Sequence, residues 1–230
     1  MGDPNTEVKG IATTFMATLD LMQRAHAAGL NFVVTHEPTF WNDRDTVSDL
    51  TDDPIYKFKV DFCARNHIVV WRFHDHIHAH KPDLIWVGLA RALGWEERGR
   101  RQFTFPQTTL AALAADVQRR MKIRSLRVVG DPNAKVSSAA VGMGYNIPRI
   151  SPDVDVVLGG ENPEASGQFD DTEYILDSAS FGRSKGQIIL GHAISEEPGM
   201  EDCANWLRGF VPEVPIQFVR AGEPFWSPKV

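Results

Sequence analysis

The sequence predicts an α/β protein with mainly parallel sheets flanked by helices, and three observations lead to this prediction. Apolar runs of strand length alternate with amphipathic segments of helix length. The run at residues 30–34 is continuously apolar apart from Asn31, which is typical of a parallel strand covered on both faces. The composition, 43% hydrophobic and 23% charged over 230 residues, is that of an ordinary globular protein. Strands and helices that alternate at this spacing indicate βαβ units with right-handed crossovers.

In the first half of the chain, three predicted strands alternate with three predicted helices. Gly29 ends the first helix, because glycine readily adopts the left-handed conformation that closes a helix. Pro54, preceded by acidic residues, favours the start of the second helix, and Pro82 and Asp83 open the third. The predicted strands are residues 9–15, 30–35 and 68–73, and the predicted helices are residues 18–28, 54–66 and 82–93.

The second half repeats this alternation less regularly. The predicted helices are residues 109–121, 171–181 and 200–210, and the predicted strands are residues 125–129, 139–143, 154–158, 187–191 and 216–219. No low-complexity linker divides the two halves. The length of the chain suits either one large domain or two small interleaved lobes.

Charge and cysteine content narrow the class of protein. The 24 basic and 30 acidic side chains leave a net charge of -6, which offers no basic footprint for nucleic acid. Cys63 lies in an apolar helical pattern and is expected to be a buried small hydrophobe, and the use of only two cysteines suits a reducing cytoplasm. No apolar run reaches membrane-spanning length, and residues 1–9 are too polar for a signal peptide. We therefore expect a cytoplasmic protein.

Histidines mark the carboxyl ends of the predicted strands, where ligands bind in open α/β sheets. Neutral imidazole is a common ligand of zinc, iron and related ions, so this placement indicates a metal site. The histidines at or just after strand ends are His36, His74, His76, His78, His80 and His192.

The segment from His74 to His80 contains four imidazoles in seven residues, and its conformation decides which of them act together. An extended chain would place all four on one side, and a helical turn would still place His74 and His78 on one face. An incidental polar loop is the alternative to metal binding.

Two further pairs join an imidazole to a carboxylate. Glu37 follows His36 directly, and Glu196 stands four residues after His192, so that both could meet one ion if a helix starts near Ile194. Alternatively, Glu196 or the preceding Ser195 is an ordinary helix-capping residue. Three such clusters at three strand ends predict a site for two cations about 4 Å apart.

The order of these motifs resembles the Nif-three-like family of dinuclear-metal-centre hexameric proteins, which includes type 2 GTP cyclohydrolase I homologues. The shared motifs are Thr-His-Glu-Pro at residues 35–38, the histidines of residues 74–80 before a helix that ends in Ala-Leu-Gly, and Gly-His-x-x-Ser-Glu at residues 191–196. The resemblance extends from the Gly-Asp-Pro start to Gly-Glu-Pro-Phe-Trp near the end. The family's metal ligands fall on His36, Glu37, His74, His78, His192 and Glu196.

The resemblance also implies an architecture and an assembly. It implies two related, interleaved lobes, residues 1–105 with 185–230 and residues 106–184, a metal site at strand ends between them, and no inserted domain. It further implies a homo-oligomer, a hexamer, with two divalent ions of zinc, iron or manganese. Two departures bear on the metal: Glu37 replaces a second histidine common in the family, and His78 replaces an aspartate.

These features support two functional hypotheses from different classes. The first is a metal-dependent hydrolase that acts on a nucleotide or related small molecule such as GTP, with Glu161 and His76 as the residues that transfer protons. The second is a non-catalytic ring protein that stores or senses metal and binds protein partners. A third reading is that the changes at Glu37 and His78 have emptied the site.

Overall fold

The computed structural model describes residues 1–165 and 167–228. The chain divides into two compact units, each made from two segments. The first unit comprises Met1–Gly88 and Glu197–Ala221, and the second comprises Leu89–Glu196 and Gly222–Val230. The mixed α/β fold that the sequence predicts is confirmed, because the units hold two sheets flanked by helices.

The first unit is built on a parallel sheet of four strands. Its elements are β1 (Ile11–Thr14), α1 (Leu19–Ala27), β2 (Phe32–Thr35), α2 (Pro54–Arg65), β3 (Val69–Arg72), α3 (Asp75–Ala79), the start of α4 (Leu84–Leu93), most of α7 (His192–Arg208) and β10 (Ile216–Phe218). The strand order is β10-β1-β2-β3. Thr14 pairs with Thr35, and Thr35 pairs with Arg72, so the three strands end at the same edge of the sheet. His36 and His74 therefore leave the sheet at one edge.

Local sequence signals explain where the helices of this unit begin. The Thr18 side chain accepts a hydrogen bond from the backbone of Leu21 at 3.2 Å and caps α1. The Asp53 carboxylate accepts from Ile55 and Tyr56 and caps α2, which starts with Pro54. The core between these helices and the sheet includes Ala12, Leu21, Met22, Ala25, Leu30, Val33, Cys63, Ile68 and Val70.

The second unit contains a six-stranded mixed sheet. Its elements are β4 (Glu96–Gly99), β5 (Gln102–Thr109), α5 (Leu110–Met121), β6 (Arg127–Val129), β7 (Lys135–Val141), β8 (Val156–Gly159), α6 (Asp170–Ser180) and β9 (Gly186–Ile189). The strand order is β4-β5-β7-β8-β9-β6. Only the central pairs β7–β8 and β8–β9 are parallel, whereas β4–β5, β5–β7 and β6–β9 are antiparallel. The prediction of mainly parallel sheets is therefore correct for the first sheet and wrong for the second.

The hairpin of β4 and β5 is absent from the sequence prediction. Its turn places Gly99, Arg100 and Arg101 at φ values of 91°, 52° and 60°. Two-residue hairpin turns with positive φ usually carry asparagine, aspartate or glycine, and arginine gives no such signal. The pairing of β5 with β7 holds this turn in a conformation that its own residues do not favour.

Helix α7 starts earlier than the sequence predicts. It begins at His192 rather than near Met200, as the alternative of a helix starting near Ile194 allowed. It continues through Pro198, which lacks the N–H of a regular helical residue. Just after Pro198, the backbones of Gly199 and Gly88 approach each other so closely that a Cβ on either glycine would overlap the other helix. None of the helices of the described residues combines the length and the hydropathy that a membrane span requires.

We expect both cysteines to resist alkylation in the folded protein. Cys63 and Cys203 are free thiols that are 2% and 0% exposed, as the sequence predicts for Cys63. Burial raises the pKa of the Cys63 thiol to about 11 and that of Cys203 to about 12. The reactive species is the thiolate, so iodoacetamide at pH 8 should label neither residue. Mass spectrometry with and without urea checks this, and rapid labelling without urea would contradict it.

Candidate metal centre

His36 is the buried member of the candidate ligands in the first unit. It follows β2 directly, and its backbone N–H donates to the Thr14 carbonyl oxygen at 3.0 Å, so the sheet holds the chain at this residue. The side chain is 0% exposed, and its ring centroid lies 5.8 Å from that of Phe15. The imidazole is therefore fixed beneath the edge of the sheet.

His74 and His78 come from α3, the short helix that follows β3. His74 is the N-cap residue and His78 lies four residues later, so one helical turn places both on the same face. The ring centroids are 5.1 Å apart for His74 and His78, 4.4 Å for His36 and His74, and 5.1 Å for His36 and His78. The structure takes the helical alternative and brings these three imidazoles together.

Two carboxylates orient the imidazoles of α3. Asp75 Oδ1 lies 2.7 Å from His74 Nδ1, and Asp83 Oδ2 lies 3.1 Å from His78 Nδ1. The hydrogen bond to His74 lowers the pKa of the Asp75 carboxyl below its usual value. Because Nδ1 of each ring is engaged, Nε2 is the nitrogen that each ring offers to an ion. Carboxylate partners of this kind set the tautomer and raise the basicity of metal-binding histidines.

The donor set of the first unit fits a divalent ion. Nitrogens of His36, His74 and His78 lie within 4.8 Å of one another. An oxygen of Glu37 lies within the same distance of a His36 nitrogen. Three imidazoles that leave a position open are a donor set of catalytic zinc, and imidazole with carboxylate also suits iron or manganese.

Asp83 has a second role, which allows its contact with His78 to be tested separately. Its Oδ1 accepts from the backbone N–H groups of Ile85 at 2.9 Å and Trp86 at 3.3 Å, so it also caps α4. Asparagine caps helices about as well as aspartate, but it cannot supply the negative charge that faces His78.

We expect Asp83→Asn to weaken zinc binding about 10- to 100-fold while it changes the stability of the metal-free protein only slightly. Calorimetric titration with zinc and thermal unfolding in a chelator measure the two effects. Asp53→Asn is the matched control, because Asp53 caps α2 and contacts no candidate ligand. Equal zinc affinity in Asp83→Asn and the unmodified protein would contradict the role of Asp83.

The second unit holds the pair His192 and Glu196 at the start of α7. Their Nε2 and Oε2 atoms are 3.0 Å apart across one helical turn, and the two side chains are 16% and 5% exposed. The Tyr145 ring packs edge-on against the imidazole, with 4.4 Å between centroids. Since α7 begins at His192, Glu196 lies inside the helix and is not a cap.

A tight loop fixes this pair in place. Ser195 Oγ donates to the His192 carbonyl oxygen at 2.8 Å and accepts from the Gly144 backbone N–H at 2.9 Å. Gly144 has a φ of 60°, and a Cβ at this position would overlap the Glu196 carboxylate. Only glycine suits this position, because it has no Cβ and tolerates the left-handed backbone.

The remaining predicted site residues belong to neither group of possible metal ligands. His76 is exposed on α3, and His80 Nδ1 is 2.8 Å from the Pro82 carbonyl oxygen. Glu161 follows β8 and is partly buried. Sequence reasoning missed Asp83 as a partner of His78, although its position five residues after that histidine was visible. It also missed Tyr145, for which the sequence carries no signal.

An α/β fold with imidazoles and carboxylates at the carboxyl ends of its strands defines a class of proteins able to hold divalent metal. The sequence model of the DUF34/NIF3 family, NGG1p interacting factor 3, matches residues 1–223. The chain belongs to this family, which confirms the resemblance drawn from its motifs.

Individual relatives agree with this assignment. The chain is 27% identical over 228 residues to a GTP cyclohydrolase 1 type 2 homolog from Clostridium acetobutylicum, an alignment that covers 91% of this chain and 80% of that protein. The crystal structure of Staphylococcus aureus protein SA1388 matches with a TM-score of 0.70 and 17% identity over 99% of this chain and 90% of that one. A Bacillus cereus protein related to NIF3 matches with a TM-score of 0.69 and 14% identity over 99% and 91% of the two chains. These structures share the fold.

Proposed function

We propose that this chain is a divalent-metal-binding protein with a dinuclear centre, and that it is a metal-dependent hydrolase acting on a nucleotide or related small molecule. One observation carries the proposal: three imidazole nitrogens at the edge of a parallel sheet lie within 4.8 Å of one another. The proposed ligands are His36, Glu37, His74, His78, His192 and Glu196.

The proposal assigns a role to the bound ions and to four side chains. Bound divalent ions would polarise a carbonyl or phosphoryl oxygen and acidify water, which is the chemistry of metal-dependent hydrolysis. Asp75 and Asp83 hold the imidazoles of α3 in the orientation that leaves Nε2 for an ion. Glu161 and His76 are the proposed proton carriers, and both are accessible to solvent. The nucleotide substrate is suggested by the name of the Clostridium acetobutylicum relative.

Metal analysis of protein purified without added metal tests the proposal. We expect about two transition-metal ions per chain, because the proposed dinuclear centre holds two cations. His74→Ala should remove at least one ion, and the His74→Ala, His192→Ala double variant should remove both. His26→Ala is the control, because His26 is exposed on α1 and belongs to neither group. An intact chain that stays free of metal after incubation with zinc, iron or manganese would refute the proposal.

Turnover distinguishes the enzyme from a metal store. The metal-loaded protein should hydrolyse GTP or a related nucleotide, and His76→Ala should lose that activity while it keeps its metal. A protein that binds two ions and turns over no nucleotide would support the non-catalytic function instead. The metal analysis therefore tests ion binding, and the turnover assay tests hydrolysis independently of it.

A further inference from the structure

A carboxylate, that of Glu223, anchors the segment that follows Ala221 to the rest of the second unit. Glu223, whose side chain is 8% exposed, accepts from the Arg124 backbone at 2.8 Å, the Arg124 Nε at 3.2 Å, the Ser125 backbone at 2.9 Å and the Ser125 Oγ at 2.6 Å. Burial raises the pKa of the Glu223 carboxyl, but these hydrogen bonds outweigh burial and hold it below its usual value. The anchor is therefore ionised at neutral pH.

This anchor places two exposed aromatic side chains beside a cavity. Phe225 and Trp226 are 68% and 73% exposed, far more than large aromatic residues that pack in a core. They line a cavity of about 300 Å³ at the carboxyl ends of β8 and β9, together with Arg127, Glu161 and Gly191. This volume is at the lower end of the range for small-molecule sites.

A larger cavity of about 1230 Å³ lies at the amino ends of β7, β8 and β9, but two of its charged groups already serve the fold. Lys185 Nζ donates to three backbone carbonyls within residues 151–154. The Asp155 carboxylate accepts from the backbone N–H groups of Ser137 and Ser138. The smaller cavity has the better position, because ligands in α/β sheets bind at the carboxyl ends of strands.

We propose that the cavity between Glu161 and the aromatic pair Phe225 and Trp226 binds a flat heteroaromatic ring that presents two adjacent N–H donors, as the guanine base does. Gly191, which lines the cavity, directly precedes the proposed metal ligand His192. A role of this subsite in catalysis therefore rests on the proposed function. Binding of the ring itself does not depend on metal.

The chemistry of the cavity favours guanine over adenine. An exposed indole or phenyl face stacks with any base, so Trp226 and Phe225 supply affinity without selectivity. A carboxylate only accepts hydrogen bonds, and the N1–H and N2–H groups of guanine offer two donors side by side. Adenine presents one donor and one acceptor there, and its acceptor would face the Glu161 carboxylate. Among the described residues, no hydrogen bond or ion pair engages that carboxylate.

Calorimetric titration of the chelator-treated full chain with guanosine, inosine and adenosine tests this subsite. We expect guanosine to bind at least roughly tenfold more tightly than adenosine, with inosine between them because it lacks the second donor. Glu161→Gln should abolish the preference, and Trp226→Ala should weaken all three nucleosides roughly tenfold. Phe210→Ala is the control, because Phe210 is also an exposed aromatic residue, 54% exposed, and belongs to the first unit.

The possible outcomes separate this proposal from the proposed function. Glu223→Ala, which releases the anchor without touching the cavity-lining rings, should weaken guanosine binding as Trp226→Ala does. Guanosine binding that is absent, no stronger than adenosine binding, or unchanged in Trp226→Ala would overturn the subsite even if the chain holds two ions. A chain that binds guanosine but no metal would keep the subsite and remove the hydrolase.

Discussion

Zinc at one hundred times its dissociation constant should stabilise the protein by about 2.7 kcal/mol, provided that only the folded chain binds it. For a chain of this length, that free energy corresponds to a rise of roughly 5–10 °C in the unfolding temperature. The physical reason is that α3 and the edge of the first sheet assemble His36, His74 and His78 only in the folded protein. Differential scanning calorimetry with chelator or with zinc measures the shift.

His78→Ala should lose most of this stabilisation. It removes one of the three imidazoles and leaves the metal-free fold nearly intact, because His78 is only partly buried. The exposed His26→Ala variant should keep the full shift. An equal rise in His78→Ala and the unmodified protein would mean that zinc stabilises the chain from another site.

Gly199→Ala should destabilise the protein by about 3 kcal/mol, the upper end of the range for overpacked cores. A Cβ on Gly199 would overlap the Cα of Ile85 in α4. Backbone atoms cannot move aside by changing rotamer, so the helices α4 and α7 would have to separate. The unfolding temperature should fall by roughly 6–12 °C, as measured by thermal circular dichroism.

Gly29→Ala provides the comparison for this effect. Gly29 also has no side chain and has a φ of 78°, but nothing lies within 4 Å of the position that a Cβ would occupy. Its substitution should cost only the 1–2 kcal/mol or so of a left-handed alanine. If both variants melt at the same temperature, the overlap between a Cβ on Gly199 and the Ile85 backbone carries no additional cost.

The parts of the fold that could be predicted from sequence are those with local causes. Helices α1, α2 and α5 were predicted within about two residues of their ends, because Thr18, Asp53 and Thr109 cap them through their own side chains. The hairpin of β4 and β5 was not predicted, because its arginine turn is imposed by pairing with β7. The early start of α7 was hidden in the same way, because Pro198 and Gly199 resemble a helix boundary until the packing against α4 is known.

In the candidate site, too, local sequence predicted some features, and tertiary contacts decided the others. The spacing of His74 and His78 allowed both an extended and a helical arrangement, and nothing local chose between them. The structure chooses the helix, which groups those two residues with His36 and leaves His76 exposed. Asp83 was recognised as the start of α4 but not as a partner of His78, because one side chain performs both tasks. A residue that is already recognisable as a helix cap gives no additional sequence signal for a second hydrogen bond to another side chain.

The shortness of α3 determines when the imidazoles of His74 and His78 come together. An isolated helix of five residues is unstable in water, so the peptide around His74 and His78 does not hold its two imidazoles in register by itself. Ile77, fully buried between them, fixes the turn only when the first unit has packed. If an ion binds at His36, His74 and His78 as proposed, it should therefore bind after the first unit has folded, because the unfolded chain holds no preformed site.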